Sequence, residues 1–439
     1  MESVDTLIDA RWVVPVEPAG TVLEQHTVAV KDGLIAAVLP TGEAHARYRA
    51  AQHLTLDQHV LIPGLVNLHT HAAMSLMRGL ADDLPLMAWL KDHIWPAEAA
   101  HVNAEFVQAG TLLACAEMLK GGITCMNDMY FFPEAAAQAA LSAGMRASLG
   151  MVVIDFPTSY ASDPDDYLAK GLALRDAMRH EPLLSFCLAP HAPYTVSDAS
   201  FEKIGRYAEE LGLPVHVHVH ETLDEISGEV AKTGMRPLAR LKNLGLVGPQ
   251  LIAVHAVHLN AEEIELLARH GASVAHCASS NLKLASGIAP VAQLLEAGVN
   301  VGLGTDGAAS NNRLDMFAEM RLAALLAKGT SGNAEVLPAH AALHSATLGG
   351  ARALGLDGKI GSLLPGKAAD MTAIDLGGIQ LQPMYDPVSH LVYAAGRENV
   401  TDVWVAGEHV VNALQLSRVD VPSLESTARL WQNRLRIQV

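Results

Sequence analysis

Between residues 61 and 365 the chain repeats one texture eight times: a short apolar run, then a longer Ala/Leu-rich stretch. The runs are Leu65–His69, Ile123–Asn127, Ala147–Ile154, Leu183–Ala189, Val215–Val219, Leu251–His255, Ser273–His276 and Val299–Gly304. Strands covered by helices on both faces read as continuous apolar segments, without the alternation of half-exposed strands. Stretches such as Phe106–Leu119 and Phe201–Leu211, lying between the runs, read as helices. Eight β-then-α units predict an α/β fold, a (β/α)8 TIM barrel over 61–365. The competing arrangement is a doubly wound open sheet.

The two ends of the chain differ from this middle and resemble each other. In residues 1–60, Thr27–Gly33 suggests a strand and turn and Leu34–Val38 a further strand. In residues 366–439, the texture of Pro365–Ile374 and Val403–Val411 is again strand and turn, and Ser423–Val439 reads as a terminal helix. The expectation is one small β-sandwich domain built from both termini.

Composition narrows the function classes. With 30 Lys and Arg against 47 Asp and Glu, the formal charge is −17, a poor match for nucleic acid or an anionic membrane surface. That balance says nothing against a small uncharged or zwitterionic substrate, and a homo-oligomer is compatible with it. The four cysteines form no CxxC pair, which fits a reducing compartment. The start Met1–Asp9 has neither a basic stretch nor an apolar core, so a cytoplasmic chain without a secretory signal is expected.

Four motifs carry chemistry, each at the end of a candidate strand. Leu68-His69-Thr70-His71 puts two imidazoles on one strand face, aimed at one point, as a metal requires. Taken alone, two hydrogen-bonded core histidines explain it equally well. In Val215-His-Val-His-Val-His-Glu-Thr222, alternation places His216, His218 and His220 on one face, and spacing does not choose among them. The third motif is Ala253-Val-His255-Ala-Val-His258 and the fourth Gly302-Leu-Gly-Thr-Asp306-Gly-Ala308, whose glycines permit close backbone approach. In isolation Thr305-Asp306-Gly307 is an ordinary turn. Together the four fall at the C-terminal ends of strands one, five, six and eight, the face where barrel enzymes hold their active sites.

In this order the motifs resemble the amidohydrolase superfamily, and within it the branch of methylthioadenosine/S-adenosylhomocysteine deaminases and triazine chlorohydrolases. The resemblance extends through Pro63–Asn67, Trp95–Glu98, Ala189–Tyr194, Ser280–Lys283, Gly287–Pro290 and Gly361–Asp370. It implies zinc ligation by His69, His71, His218 and Asp306, with one Zn2+ per subunit. Family members with two metals commonly carry a carboxylated lysine at the end of strand four, and Phe186–His191 has none. The resemblance further implies that Glu221 shuttles protons and that His255 contacts the attacking water or the tetrahedral oxygen. Glu98 and His191 fall at substrate-binding positions, with Glu98 facing ribose hydroxyls, and Glu221 and Asp306 also meet the substrate.

The implied reaction is hydrolytic deamination of an adenine nucleoside: Asp306 takes a proton from water, oxygen adds to C6, Glu221 protonates N1, and ammonia leaves. The apolar run Met74–Met87 is expected to close over a 5′-thioether. Trp95–Glu98 also reads as a helix start, with Glu98 serving the helix dipole. One departure from the pattern is Met151, which stands after Gly144-Met145-Arg146 where some deaminases of the branch carry a second arginine. The rival readings are a hydrolase of the same scaffold acting on a free purine base, a pterin or a chlorotriazine, and a non-catalytic assembly protein. The six residues His69, His71, His218, Glu221, His255 and Asp306 argue against the second.

Overall fold

The computed structural model describes residues 1–436. The chain begins with β1 (Glu2–Val13), β2 (Leu23–Lys31) and β3 (Leu34–Pro40), paired antiparallel in sequence order. The turn between β2 and β3 holds Asp32 and Gly33 at φ 52° and 76°, the left-handed pair that a two-residue hairpin with matching twist needs. Beyond a short helix, Thr41–Arg47, β4 (Tyr48–Pro63) runs parallel to β1 and leads into the barrel.

The barrel strands are β5 (Leu65–Thr70), β6 (Ile123–Tyr130), β7 (Arg146–Val153), β8 (Leu184–Pro190), β9 (Val215–Val219), β10 (Leu251–His255), β11 (Ser273–His276) and β12 (Asn300–Leu303). They lie in chain order and pair in parallel. The strands match the eight apolar runs of the sequence, because nearly every strand residue is buried between barrel interior and helices. The helices between them begin where capping side chains take orphan backbone N–H groups: Asn103, Asp163, Ser197, Thr222, Asn260 and Asp315. At Asn260 the cap is reciprocal, Glu263 bonding back to the cap residue.

The ring closes where β12 meets β5. Here Thr305 N–H donates to Asn67 Oδ1 at 2.9 Å and Asn67 Nδ2 donates to Thr305 Oγ1 at 2.7 Å. A Cβ on Gly304 would lie 2.9 Å from the His69 backbone nitrogen, so only glycine lets the two strand ends approach this closely.

After the barrel come β13 (Met371–Asp375), β14 (Val400–Val405), β15 (Glu408–Asn412) and β16 (Gln415–Leu416). β13 pairs antiparallel with β4, so strands from both termini share one eight-stranded mixed sheet. The sheet curls over a core of Ile8, Val28, Leu61, Met371 and Trp404 until Ile35 exchanges backbone bonds of 2.8 Å with Gly366 and Lys367. Buried Arg146 of β7 and Asp370 form a two-pronged pair, at 2.8 and 3.0 Å, that fastens the barrel to this segment. The terminal helix spans Val421–Arg436 and sets Trp431 edge-on against Phe106, 5.2 Å between centroids. Residues 437–439 of the expected terminal helix lie outside the described residues. No helix among the described residues is long and apolar enough to cross a membrane.

Candidate active site

The C-terminal ends of the barrel strands surround a cavity of about 520 Å3, within the usual range for a small-molecule site. His71, His218, Glu221, His255 and Asp306 line its floor, and Glu98 and His191 its wall. His69 lies beneath, fully buried. Three of the strand ends leave the extended conformation at His220 (φ 60°), His255 (φ 68°) and Asp306 (φ 60°). Non-glycine residues rarely adopt this backbone, and such strain concentrates at functional sites.

The nitrogen and oxygen atoms at the floor converge without a bridging group of their own. His69 Nε2 lies 3.2 Å from His218 Nε2 and 3.2 Å from Asp306 Oδ1, and His71 Nε2 lies 3.4 Å from the same oxygen. Protons on the opposite nitrogens are fixed by neighbours. His71 Nδ1 donates to the Met129 carbonyl oxygen at 2.6 Å, and His218 Nδ1 donates to that of His191 at 2.7 Å. Carbonyls only accept, so in the neutral rings both Nε2 atoms carry lone pairs, that of His71 beside the Asp306 carboxylate and that of His218 beside His69. His69 Nδ1 is paired with His216 Nε2 at 3.0 Å. The inward lone pairs of His71 and His218 together with the Asp306 carboxylate make a donor set suited to a cation.

The residues fit zinc. Zn–N bonds of about 2.0–2.1 Å at tetrahedral angles put neighbouring ligand atoms roughly 3.3 Å apart, against the 3.2 to 3.4 Å found here. Burial pulls the His69 imidazole down to about 4 and keeps it neutral, as a ligand must be. Burial would push the Asp306 carboxyl up, but its contact with His69 and the neighbouring imidazoles outweigh this and hold it well below the usual carboxylate range. Its outer oxygen accepts from Ser280 Oγ at 2.6 Å and Ser310 Oγ at 2.9 Å, and its inner one from Gly307 N–H at 2.7 Å. These bonds orient the carboxylate as outer partners orient metal ligands.

Of the three histidines of β9 and its end, only His218 reaches this cluster directly. His216 lies one layer deeper, under His69. The left-handed turn at His220 swings that ring aside, where its Nε2 accepts from Leu238 N–H at 3.0 Å. Next in line, Glu221 points into the cavity, with Ser286 Oγ donating to it at 3.2 Å and His255 Nε2 3.7 Å from its other oxygen. Burial raises the Glu221 carboxyl. Its backbone N–H, and that of His220, are held by Glu225 at 2.8 and 3.0 Å. His255 is oriented by Asn281, 2.8 Å from its Nδ1.

The wall is mostly apolar, with Met74, Leu86, Trp89, Val152, Ile154 and Phe156 among its residues. Glu98 projects from it and accepts from Tyr130 hydroxyl at 2.7 Å, while burial pushes its carboxyl up to about 7. Burial lowers the His191 imidazole to about 3. Glu98 stands in the first turn of the helix Trp95–His101, with Pro96 at its start. A π turn, Trp89–Ile94, runs directly into the helix Trp95–His101, so the expected helix start is interior to a continuous helical path.

The Met151 position also differs from expectation. Its side chain is buried against Gly171 of the helix Pro164–Met178, outside the barrel, where a Cβ on that glycine would meet it at 2.7 Å. By alternation it is Val152, beside it, that lines the cavity. An arginine at 151 would be unable to reach substrate without moving the strand.

Sequence reading missed Tyr130, Asp128, Ser310 and Glu225. Asp128 Oδ1 accepts from Ala72 N–H at 2.7 Å and so anchors the segment following the first histidine pair. The run Met126-Asn-Asp-Met-Tyr130 at the end of a strand was the available signal, since buried polar residues at strand ends on this face belong to the site.

Comparison with known proteins agrees with this geometry. The model described as the amidohydrolase family matches residues 60–410. The 5-methylthioadenosine/S-adenosylhomocysteine deaminase of Teredinibacter turnerae is 48% identical over 433 residues, covering 99% of this chain and 98% of that one. The crystal structure of an adenosine deaminase from Xanthomonas campestris, with bound zinc, superposes with a TM-score of 0.98 at 52% identity, covering 99% of each chain. An atrazine chlorohydrolase from Arthrobacter aurescens, complexed with zinc, shares the fold at 24% identity, with a TM-score of 0.91 over 97% of this chain and all of its own.

Proposed function

Since the chain belongs to the amidohydrolase family, we propose that it is a zinc-dependent aminohydrolase converting 5′-methylthioadenosine to 5′-methylthioinosine and S-adenosylhomocysteine to S-inosylhomocysteine, with release of ammonia. The observation that carries this reading is the convergence of His69, His71, His218 and Asp306 beneath a nucleoside-sized cavity that also holds Glu221. Deaminases of this name align with it over nearly their whole length.

His69, His71, His218 and Asp306 would hold one Zn2+. When bound, zinc supplies Lewis acidity that makes water ionisable towards neutral pH, from a pKa of 15.7 to about 7. Ionised Asp306 accepts a proton from the attacking water. Glu221, whose carboxyl is raised by burial, delivers a proton to purine N1, so that negative charge does not build up on the ring as oxygen adds to C6. His255, fixed by Asn281, faces the oxygen of the tetrahedral carbon. Collapse expels the C6 amino group as ammonia and leaves the carbonyl of the inosine product.

Glu98 and His191 position the nucleoside. One Glu98 oxygen is taken by Tyr130 and the other is open to ribose hydroxyls. Met74, Leu86, Trp89 and Phe156 offer the apolar surface that a thioether prefers. Among the described residues, the cavity lining contains three carboxylates and no Lys or Arg. The α-carboxylate of S-adenosylhomocysteine therefore finds no cation inside, and methylthioadenosine is the better fit of the two.

An ammonia-release screen tests the reading across methylthioadenosine, S-adenosylhomocysteine, adenosine, guanine, a pterin and a chlorotriazine. Turnover of the adenine nucleosides is expected. Ammonia or chloride released only from the last three would replace it with another hydrolase of the same scaffold.

A further inference from the structure

A second cluster of metal-ligating groups lies in the terminal β domain and shares no residue with the catalytic site. Asp9 of β1, His45 of the helix Thr41–Arg47 and His53 of β4 bring two imidazole nitrogens and a carboxylate together. Both Nε2 atoms approach the same oxygen, Asp9 Oδ2, at 3.0 Å from His45 and 2.7 Å from His53. The other carboxylate oxygen accepts from the buried Thr27 hydroxyl at 2.6 Å, which orients the group and leaves Oδ2 facing the two rings.

The disposition of the rings repeats that of the catalytic pairs. His45 and His53 have centroids 4.9 Å apart with planes at 88°, while His69 and His71 stand at 4.8 Å and 86° and His69 and His218 at 4.9 Å and 85°. Two edge-on imidazoles with Nε2 atoms turned to one carboxylate oxygen present the donor set of a His2Asp metal site. Burial would push the Asp9 carboxyl up, but Thr27 and the two imidazoles outweigh it and hold the group ionised.

We propose that Asp9, His45 and His53 form a second, non-catalytic binding site for a borderline divalent transition metal such as Zn2+ or Ni2+. Imidazole and carboxylate together select ions of this class over Mg2+ or Ca2+. Without metal, the two Nε2 atoms pair with Asp9; on binding, each neutral ring carries its proton on Nδ1 and turns the Nε2 lone pair to the ion, with no net loss of protons. Since His45 and His53 are partly exposed, the remaining coordination positions belong to water. The site is accordingly weaker than the buried catalytic one. The ion would tie the short helix to β1 and β4.

The test uses the holoenzyme, its catalytic metal in place, titrated with Zn2+ and separately with Ni2+ by isothermal calorimetry. Wild type is expected to bind one further equivalent, with a rise in the temperature of unfolding. His45→Ala and His53→Ala should each lose that equivalent while ammonia release remains unchanged. Because His45 is partly exposed, its replacement leaves the core intact. His69→Ala should retain the weaker equivalent, which separates this site from the catalytic reading. Visible absorption of added Co2+ in the same proteins gives a second readout. Binding of the further equivalent that persists unchanged in both His45→Ala and His53→Ala, or no binding in wild type, overturns the proposal.

Discussion

Replacing Glu98 by Ala separates nucleoside binding from the chemistry at C6. Its free oxygen can accept from the 2′- and 3′-hydroxyls of ribose, since Tyr130 occupies the other. Hydrogen bonds to charged groups contribute roughly 1.5–3 kcal/mol each, so two are worth about 3–6 kcal/mol. At about 1.4 kcal/mol per decade this corresponds to roughly 10²- to 10⁴-fold in kcat/KM. The low end is expected, because the wall pushes the carboxyl up to about 7 and near neutral pH only part of the population is charged. For the same reason the advantage of wild type should grow as pH rises through 7, since ionisation of Glu98 supplies the acceptor. The assay measures kcat/KM of wild type and Glu98→Ala on methylthioadenosine and its 2′,3′-dideoxy analogue. A fall of about 10²-fold is expected on the first and a much smaller one on the second. An equal fall on both would show that Glu98 acts through the structure of the wall, with Tyr130, and refute the ribose contact.

Three further expectations follow from particular residues. Glu221→Gln keeps the geometry and cannot carry the proton, so metal analysis should find zinc retained while kcat falls about 10²- to 10⁴-fold; near-normal turnover would move the acid–base role elsewhere. Glu225→Gln sets an amide N–H against one of the two backbone N–H groups that the carboxylate now holds; kcat should fall at least about tenfold with zinc content unchanged, a loss of one charge-assisted bond, and unchanged kcat would show that Glu221 needs no such support. Steady-state kinetics should favour methylthioadenosine over S-adenosylhomocysteine by about tenfold or more, a difference of one unpaired charge, and Val152→Arg should narrow the gap; equal kcat/KM for the two in wild type contradicts the cation-free reading of the cavity.

The barrel was legible because each strand is buried on both sides, so its apolar run stands out between turn and helix signals, and because histidines and Asp306 mark the strand ends. Alternation could not separate His216, His218 and His220, since a strand gives all three the same side. Structure separates them by depth, which puts His216 below His69, and by the left-handed turn that removes His220. The same parity argument reverses the reading of Met151: one residue along a strand is the difference between cavity and outer helix. Glu98 looked like a helix start because Pro96 lacks an N–H and favours the first turn. A π turn directly upstream makes the helical path continuous through this start. Asp9, His45 and His53 come from three segments with no motif among them, so only folding assembles them.

The central claim is that His69, His71, His218 and Asp306 hold the zinc on which deamination depends. Zinc content after exhaustive dialysis, measured alongside ammonia release from methylthioadenosine, tests it in wild type, His69→Ala and an Asp306→Ala variant. Wild type should retain one zinc per chain and form methylthioinosine with one ammonia per substrate consumed, and both variants should lose zinc and turnover together. Full metal content and full turnover in either variant would contradict the account.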